Sequence, residues 1–86
     1  MQVTELNDSI KVRAASSPGG KVTPRLFKHG HRTFRVKNVN TRWEDRDGNY
    51  KVLHLTVTVA ESDDIFQLCF REKDLTWLLE KVRMEG

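Results

Sequence analysis

Residues 53–59 read LHLTVTV. The apolar side chains of Leu53, Leu55, Val57 and Val59 alternate with polar ones, and a period of two is the period of a β-strand. The β-branched Val and Thr residues also favour a pleated sheet surface. The stretch therefore predicts a strand with one buried face.

The same alternation occurs in three other segments. Their apolar positions are Ile10, Val12 and Ala14, then Phe34 and Val36, then Phe66, Leu68 and Phe70. Short clusters rich in Gly, Asp, Asn, Ser and Pro separate the segments, and these residues suit tight turns. The pattern predicts antiparallel strands joined by short turns.

The last segment fits two structures. Helical spacing relates Leu75, Leu78, Leu79 and Val82. Asp74 stands where a helix N-cap would, yet Trp77 and Leu79 also continue a strand alternation. Both structures remain open for this segment.

We predict a single all-β domain over residues 1–86, with five or six antiparallel strands in meander order forming a small barrel or a strongly twisted sheet. The alternative is an α+β fold with a C-terminal helix at 75–83. Pro24 places the segment at 22–28 on an edge or at a strand end. The predicted core is Ile10, Val12, Leu26, Phe34, Val36, Leu53, Leu55, Val57, Val59, Phe66, Leu68, Phe70, Trp77 and Leu79.

Composition excludes several classes of protein. A chain of 86 residues with 37% hydrophobic residues has room for one core. Its single cysteine, Cys69, cannot form an intramolecular disulfide, and no signal-peptide core or membrane-length apolar run occurs. We therefore expect a cytoplasmic protein without a membrane partner.

The net charge of +3 is unevenly distributed. Residues 9–43 contain nine Lys or Arg and no acid, whereas residues 47–86 contain five Lys or Arg and eight acids. Such a division can give a basic face for a phosphate-rich partner, or the two halves can interleave and cancel.

Motifs for catalysis or metal binding are absent from the sequence. His29 and His31 flank a glycine without a Cys-x-x-Cys or an acid nearby in the chain, which favours an exposed turn. His54 and Cys69 are expected on the surface or at the rim of their strands, and the acidic clusters at 44–47 and 61–64 fall in predicted turns. We expect no enzymatic activity, no cofactor and no metal site.

The basic residues supply the candidate binding site. The candidate nucleic-acid-binding residues are Lys11, Arg13, Arg25, Lys28, Arg32, Arg35 and Lys37. Alternation puts Arg35 and Lys37 on one face, and a neighbouring first strand would extend the stripe. Trp43 is a candidate stacking platform, although burial in the core is the favoured interpretation. The alternatives are a solvated surface or a protein–protein interaction domain without nucleic-acid contact.

Three further motifs lie within residues 34–82. They are Val36 to Arg42-Trp43, a long strand over 50–59, and a hairpin marked by Phe66, Leu68, Phe70, Trp77, Leu79 and Val82. In these motifs the segment resembles an uncharacterised family of small bacterial and archaeal β domains, also found near the C-terminus of Y-family DNA-polymerase-like proteins. The resemblance implies that the closing segment is a strand and that the partner is nucleic acid or a DNA-processing protein. It implies no catalytic residue.

Overall fold

The computed structural model describes residues 2–19 and 21–84, which form six antiparallel strands and the turns between them. The strands are β1 (Gln2–Ser16), β2 (Val22–His29), β3 (Arg32–Asp47), β4 (Tyr50–Val59), β5 (Ile65–Arg71) and β6 (Thr76–Met84). Each strand pairs with the next, and β1 pairs with β6, so the meander closes into a barrel. The predicted all-β fold is confirmed. Among the described residues, none lies in a helix of the length and apolarity needed to cross a membrane.

The alternative helix at 75–83 is wrong, because residues 76–84 form β6. A bulge explains the helical spacing. Leu68 pairs with Leu79 but Gln67 pairs with Lys81, so Glu80 is an extra residue in β6. An extra residue shifts the alternation by one, and the inward positions of β6 become Trp77, Leu79 and Val82.

Two long strands, β1 and β3, each change pairing partner along their length. Residues 2–10 of β1 pair with β6, and residues 11–16 pair with β2. Residues 32–35 of β3 pair with β2, and residues 36–47 pair with β4. The barrel therefore has a small sheet of β1, β2 and β3, and a large sheet in the order β1, β6, β5, β4, β3.

Three phenylalanines fill the centre. The ring centroids of Phe27 and Phe34 lie 5.3 Å apart, and Phe66 lies 5.2 and 4.8 Å from them. The buried cluster comprises Ile10, Phe27, Phe34, Leu55, Val57, Val59, Phe66, Leu68 and Leu79. Most of the predicted core is thus confirmed, with Val12, Val36, Leu53 and Trp77 packed partly buried against it.

Two predicted core positions, Leu26 and Phe70, lie outside this core. Phe70 is half-buried, and its ring packs against Trp77 with centroids 4.9 Å apart. Leu26 is half-buried and pairs with Arg13 and Arg35, both exposed, whereas Phe27 is fully buried. The cause is a bulge at Arg25, which separates the buried Pro24 from Phe27 by three residues instead of two. Pro24 lies where the described ladders pair β2 with β1 alone, as expected for an edge segment.

Candidate binding surfaces

The outward face of the small sheet carries a cluster of cations. Residues directly opposite one another in an antiparallel sheet share a face. Lys11 is opposite Lys28, and Leu26 lies between Arg13 and Arg35 in one row. We call Lys11, Arg13, Lys28 and Arg35 the basic face, and all four are exposed.

An acid compensates part of this charge. Glu61 accepts hydrogen bonds from the backbone N–H and from Nε of Arg35, both at 3.0 Å. These hydrogen bonds hold the pKa of the Glu61 carboxyl below its usual value, the backbone one contributing most. Within residues 2–19 and 21–84, Lys11, Arg13 and Lys28 have no ion-pair partner.

The three other predicted binding residues lie outside these rows, although all are exposed. Arg25 is the extra residue of the β2 bulge. Arg32 begins β3, and its guanidinium carbon lies 4.8 Å from the centroid of the Phe34 ring. Lys37 occupies a bulge between Val36 and Asn38, where β3 leaves β2 and begins to pair with β4.

The outward face of the large sheet forms a second surface. It is an open groove of about 540 Å³. Its lining is Val3, Asn40, Thr41, Thr56, Thr58, Ile65, Gln67, Lys81 and Arg83. Hydrogen bonds join the groove walls, from Asn40 Nδ2 to Thr58 Oγ1 at 2.9 Å and between the hydroxyls of Thr41 and Thr56. Apart from Val3 and Ile65, the lining residues are polar or charged, as expected for a sheet face open to solvent.

Beside the groove, three metal-ligating side chains converge. His54 of β4 is directly opposite Cys69 of β5, and the extra residue Glu80 of β6 completes the group. One ligand atom from each residue lies within 4.8 Å of the others. His54 Nδ1 is 2.7 Å from Glu80 Oε1, and Gln67 Nε2 donates to the same oxygen at 3.1 Å.

The expected rim position of Cys69 is wrong in one respect. Its partner His54 places it on the outward face, but the residue is only 3% exposed. Burial, with a smaller contribution from Glu80, raises the pKa of the Cys69 thiol to about 11, while Arg71 acts in the opposite direction. A thiol of this pKa is a poor nucleophile at neutral pH, despite the adjacent imidazole.

Trp43 is exposed, and its expected burial in the core is wrong. Trp43 is 41% exposed. Its ring stacks on the His54 ring, with centroids 5.2 Å apart and an interplanar angle of 10°. Trp43 is directly opposite His54 in the β3–β4 ladder, so the indole shares the outward face with the imidazole. The aromatic platform considered from the sequence is therefore accessible.

The histidines of the β2–β3 turn do not converge on a metal. His29 Nε2 lies 2.8 Å from Asp8 Oδ2. Asp8 belongs to β1 and precedes the acid-free residues 9–43. His31 is exposed in the turn. Among the described residues, His54, Cys69 and Glu80 are the one group of three potential metal-ligand side chains that lie together.

Comparison with known proteins gives no relative with a similar surface. No protein-family model matches the chain, and no curated protein or solved structure matches it significantly. The geometry of the surfaces is accordingly the basis for a function.

Proposed function

We propose that this chain is a non-catalytic binding domain that contacts the phosphate backbone of a nucleic acid through the basic face. The observation that carries the proposal is the strand register, which joins exposed cations from three strands into two adjacent rows. Lys and Arg on a shared surface neutralise phosphates and release counterions, which favours binding without sequence specificity.

Two further features support this proposal. Trp43 presents an exposed indole of the kind on which unpaired bases stack. Its cleft holds three cations, Lys21, Arg42 and Lys51, against two acids, Glu44 and Glu72. The resemblance of residues 34–82 to β domains of polymerase-like proteins also favours a DNA-processing context.

Fluorescence anisotropy with a short labelled single-stranded DNA tests the proposal. With Lys11, Arg13 and Lys28 as contacts, the logarithm of the affinity should fall with the logarithm of salt with a slope of about −2 to −3. Lys11→Glu with Lys28→Glu should weaken binding to all sequences alike. Arg46→Glu with Lys73→Glu, the same charge change at two other exposed positions, should have a much smaller effect. Equal losses from both pairs, or no binding by the wild type at low salt, would contradict the proposal.

A second candidate function is binding of an extended peptide from a DNA-processing or other protein. Within the described ladders, residues 22–25 of β2 and 36–42 of β3 each pair on one side only. Arg42 Nη2 bridges the opening by donating to the Val22 carbonyl at 2.6 Å. Unpaired strand edges can accept an added strand. A lysate partner that resists nuclease and is lost when Thr23 is replaced by proline would favour this candidate.

A further inference from the structure

We propose that His54, Cys69 and Glu80 bind a zinc ion on the outward face of the large sheet. The three ligands lie on β4, β5 and β6, whereas the basic face lies on β1, β2 and β3. Trp43, which stacks on His54, is the one residue that supports both proposals. Since their other residues are separate, the two proposals can succeed or fail separately.

The donor set selects the metal. An imidazole nitrogen, a thiolate sulfur and a carboxylate oxygen are the three ligand types of protein zinc sites. Mg²⁺ and Ca²⁺ require oxygen ligands in larger numbers, and the cluster offers one carboxylate. The thiol of Cys69 would release its proton to solvent on binding. The thiolate and the Glu80 carboxylate would then neutralise the two charges of Zn²⁺, with His54 as the neutral ligand.

The ligand atoms are near enough to one another to share one zinc ion. Zinc bonds of about 2.0–2.3 Å put neighbouring ligand atoms about 3.3–3.6 Å apart. The ligand atoms here lie within 4.8 Å of one another, with one pair at 2.7 Å. Zinc binding would therefore separate His54 Nδ1 from Glu80 Oε1 and draw Cys69 Sγ toward both.

The surroundings orient the ligands. The Trp43 ring stacks on His54, and Gln67 Nε2 donates to Glu80 at 3.1 Å. Such outer contacts fix the direction of metal ligands. The β6 bulge contributes as well, since it leaves Glu80 outside the ladder with β5 and beside the His54–Cys69 pair. Bulges are frequent next to functional sites for this reason.

Solvent can reach the cluster on one side. The side chains of His54 and Glu80 are 14% and 22% exposed, whereas Cys69 lies beneath them. Gln67 borders both the cluster and the groove. A water molecule from the groove would supply the fourth ligand, as in zinc sites with three protein ligands.

Cobalt titration of the full chain tests the inference. Co²⁺ alone should bind with one equivalent and give the absorption of a tetrahedral thiolate complex, and Zn²⁺ should displace it. Zn²⁺ should also raise the melting temperature of the wild type. Cys69→Ala should abolish the thiolate band, and Gln67→Ala should weaken zinc binding about 10- to 100-fold.

A matched control separates this cluster from the other histidine–carboxylate pair. His29→Gln removes the imidazole that contacts Asp8 and should leave the cobalt spectrum unchanged. If Cys69→Ala does not fold, Glu80→Gln provides the test at a less buried position and should weaken zinc binding. Absence of the thiolate band in the wild type, or a band that His29→Gln removes and Cys69→Ala retains, would overturn the inference.

Discussion

Glu61 holds Arg35 at both its backbone and its side chain. One carboxylate oxygen accepts from the Arg35 backbone N–H and the other from Nε, each at 3.0 Å. The residue before Glu61 contacts Arg35 as well: the Ala60 N–H donates to the Arg35 carbonyl at 2.8 Å. These hydrogen bonds hold the β4–β5 turn against the edge of the basic face. The Glu61 carboxylate also neutralises Arg35, one of the four cations of that face.

Glu61→Gln should strengthen nucleic-acid binding. The change removes a negative charge and releases the Arg35 guanidinium for a phosphate contact. The salt dependence should steepen by about 0.7–0.9 in logarithmic slope, the value for one added contact. Anisotropy titrations of wild type and variant measure both quantities. Glu5→Gln, an exposed acid where β1 pairs with β6, is the control and should change little. An unaltered or weaker affinity for Glu61→Gln would count against the basic face.

The contact between Glu61 and Arg35 should make the free energy of unfolding depend on pH in the acid range. The hydrogen bonds from Arg35, chiefly the backbone one, lower the pKa of Glu61 from the usual 4.5. Its stabilising effect is therefore complete above pH 4.5 and is lost as pH falls through the lower pKa of the folded state. Urea unfolding of wild type and Glu61→Gln should show a stability difference that shrinks from pH 7 to pH 3. A difference that grows over this range would contradict the assignment.

Phe27→Ala should be the most damaging core truncation. The residue has no exposed surface and touches two other rings, so its loss should cost about 3–5 kcal/mol. Leu26→Ala should cost much less, because Leu26 lies on the outward face beside Arg13 and Arg35. Urea melts of the two variants compare adjacent positions directly. If Phe27→Ala unfolds completely, Phe27→Leu should still be less stable than Leu26→Ala.

Leu75→Asn should stabilise the domain. Leu75 is 71% exposed and has φ of 55°, a left-handed conformation that costs most L-residues about 1–2 kcal/mol because Cβ approaches the following carbonyl oxygen. Asn tolerates this conformation, so we expect a gain of about 1 kcal/mol, or about 4–8 °C in melting temperature for a domain of this size. Leu75→Ala removes the same apolar surface but keeps the strain, and should show little gain. A lower melting temperature for Leu75→Asn would refute the explanation.

Sequence alternation was sufficient for the strands but not for their bulges. Residues 53–59 run without a bulge, and the inward positions predicted there are those observed. In β2 and β6 an extra residue shifts the phase, which misplaced Leu26 and gave β6 its helical spacing. A bulge depends on how two distant strands fit together, and no single segment encodes it.

The candidate sites divide in the same way. The exposure of the seven predicted cations follows from their charge and agrees with the structure. The carboxylate of Glu61 and the grouping of His54 with Cys69 depend on strand register, which residue spacing within one strand does not specify. The sequence predicts His54 and Cys69 at the surface or rim of their strands, but it predicts neither their pairing nor the β6 bulge that adds Glu80.

Closure of the barrel through the β1–β6 ladder sets an order on folding during synthesis. Gln2 pairs with Met84, so the first strand emerges from the ribosome long before its partner exists. Contacts this far apart in the chain form slowly, and an unpaired strand is an aggregation hazard in the meantime. Glu5 and Asp8 place charges along that strand, and Asn7, with φ of 54°, interrupts its ladder. The nascent strand is thus poorly suited to pairing with another copy of itself while it waits for β6.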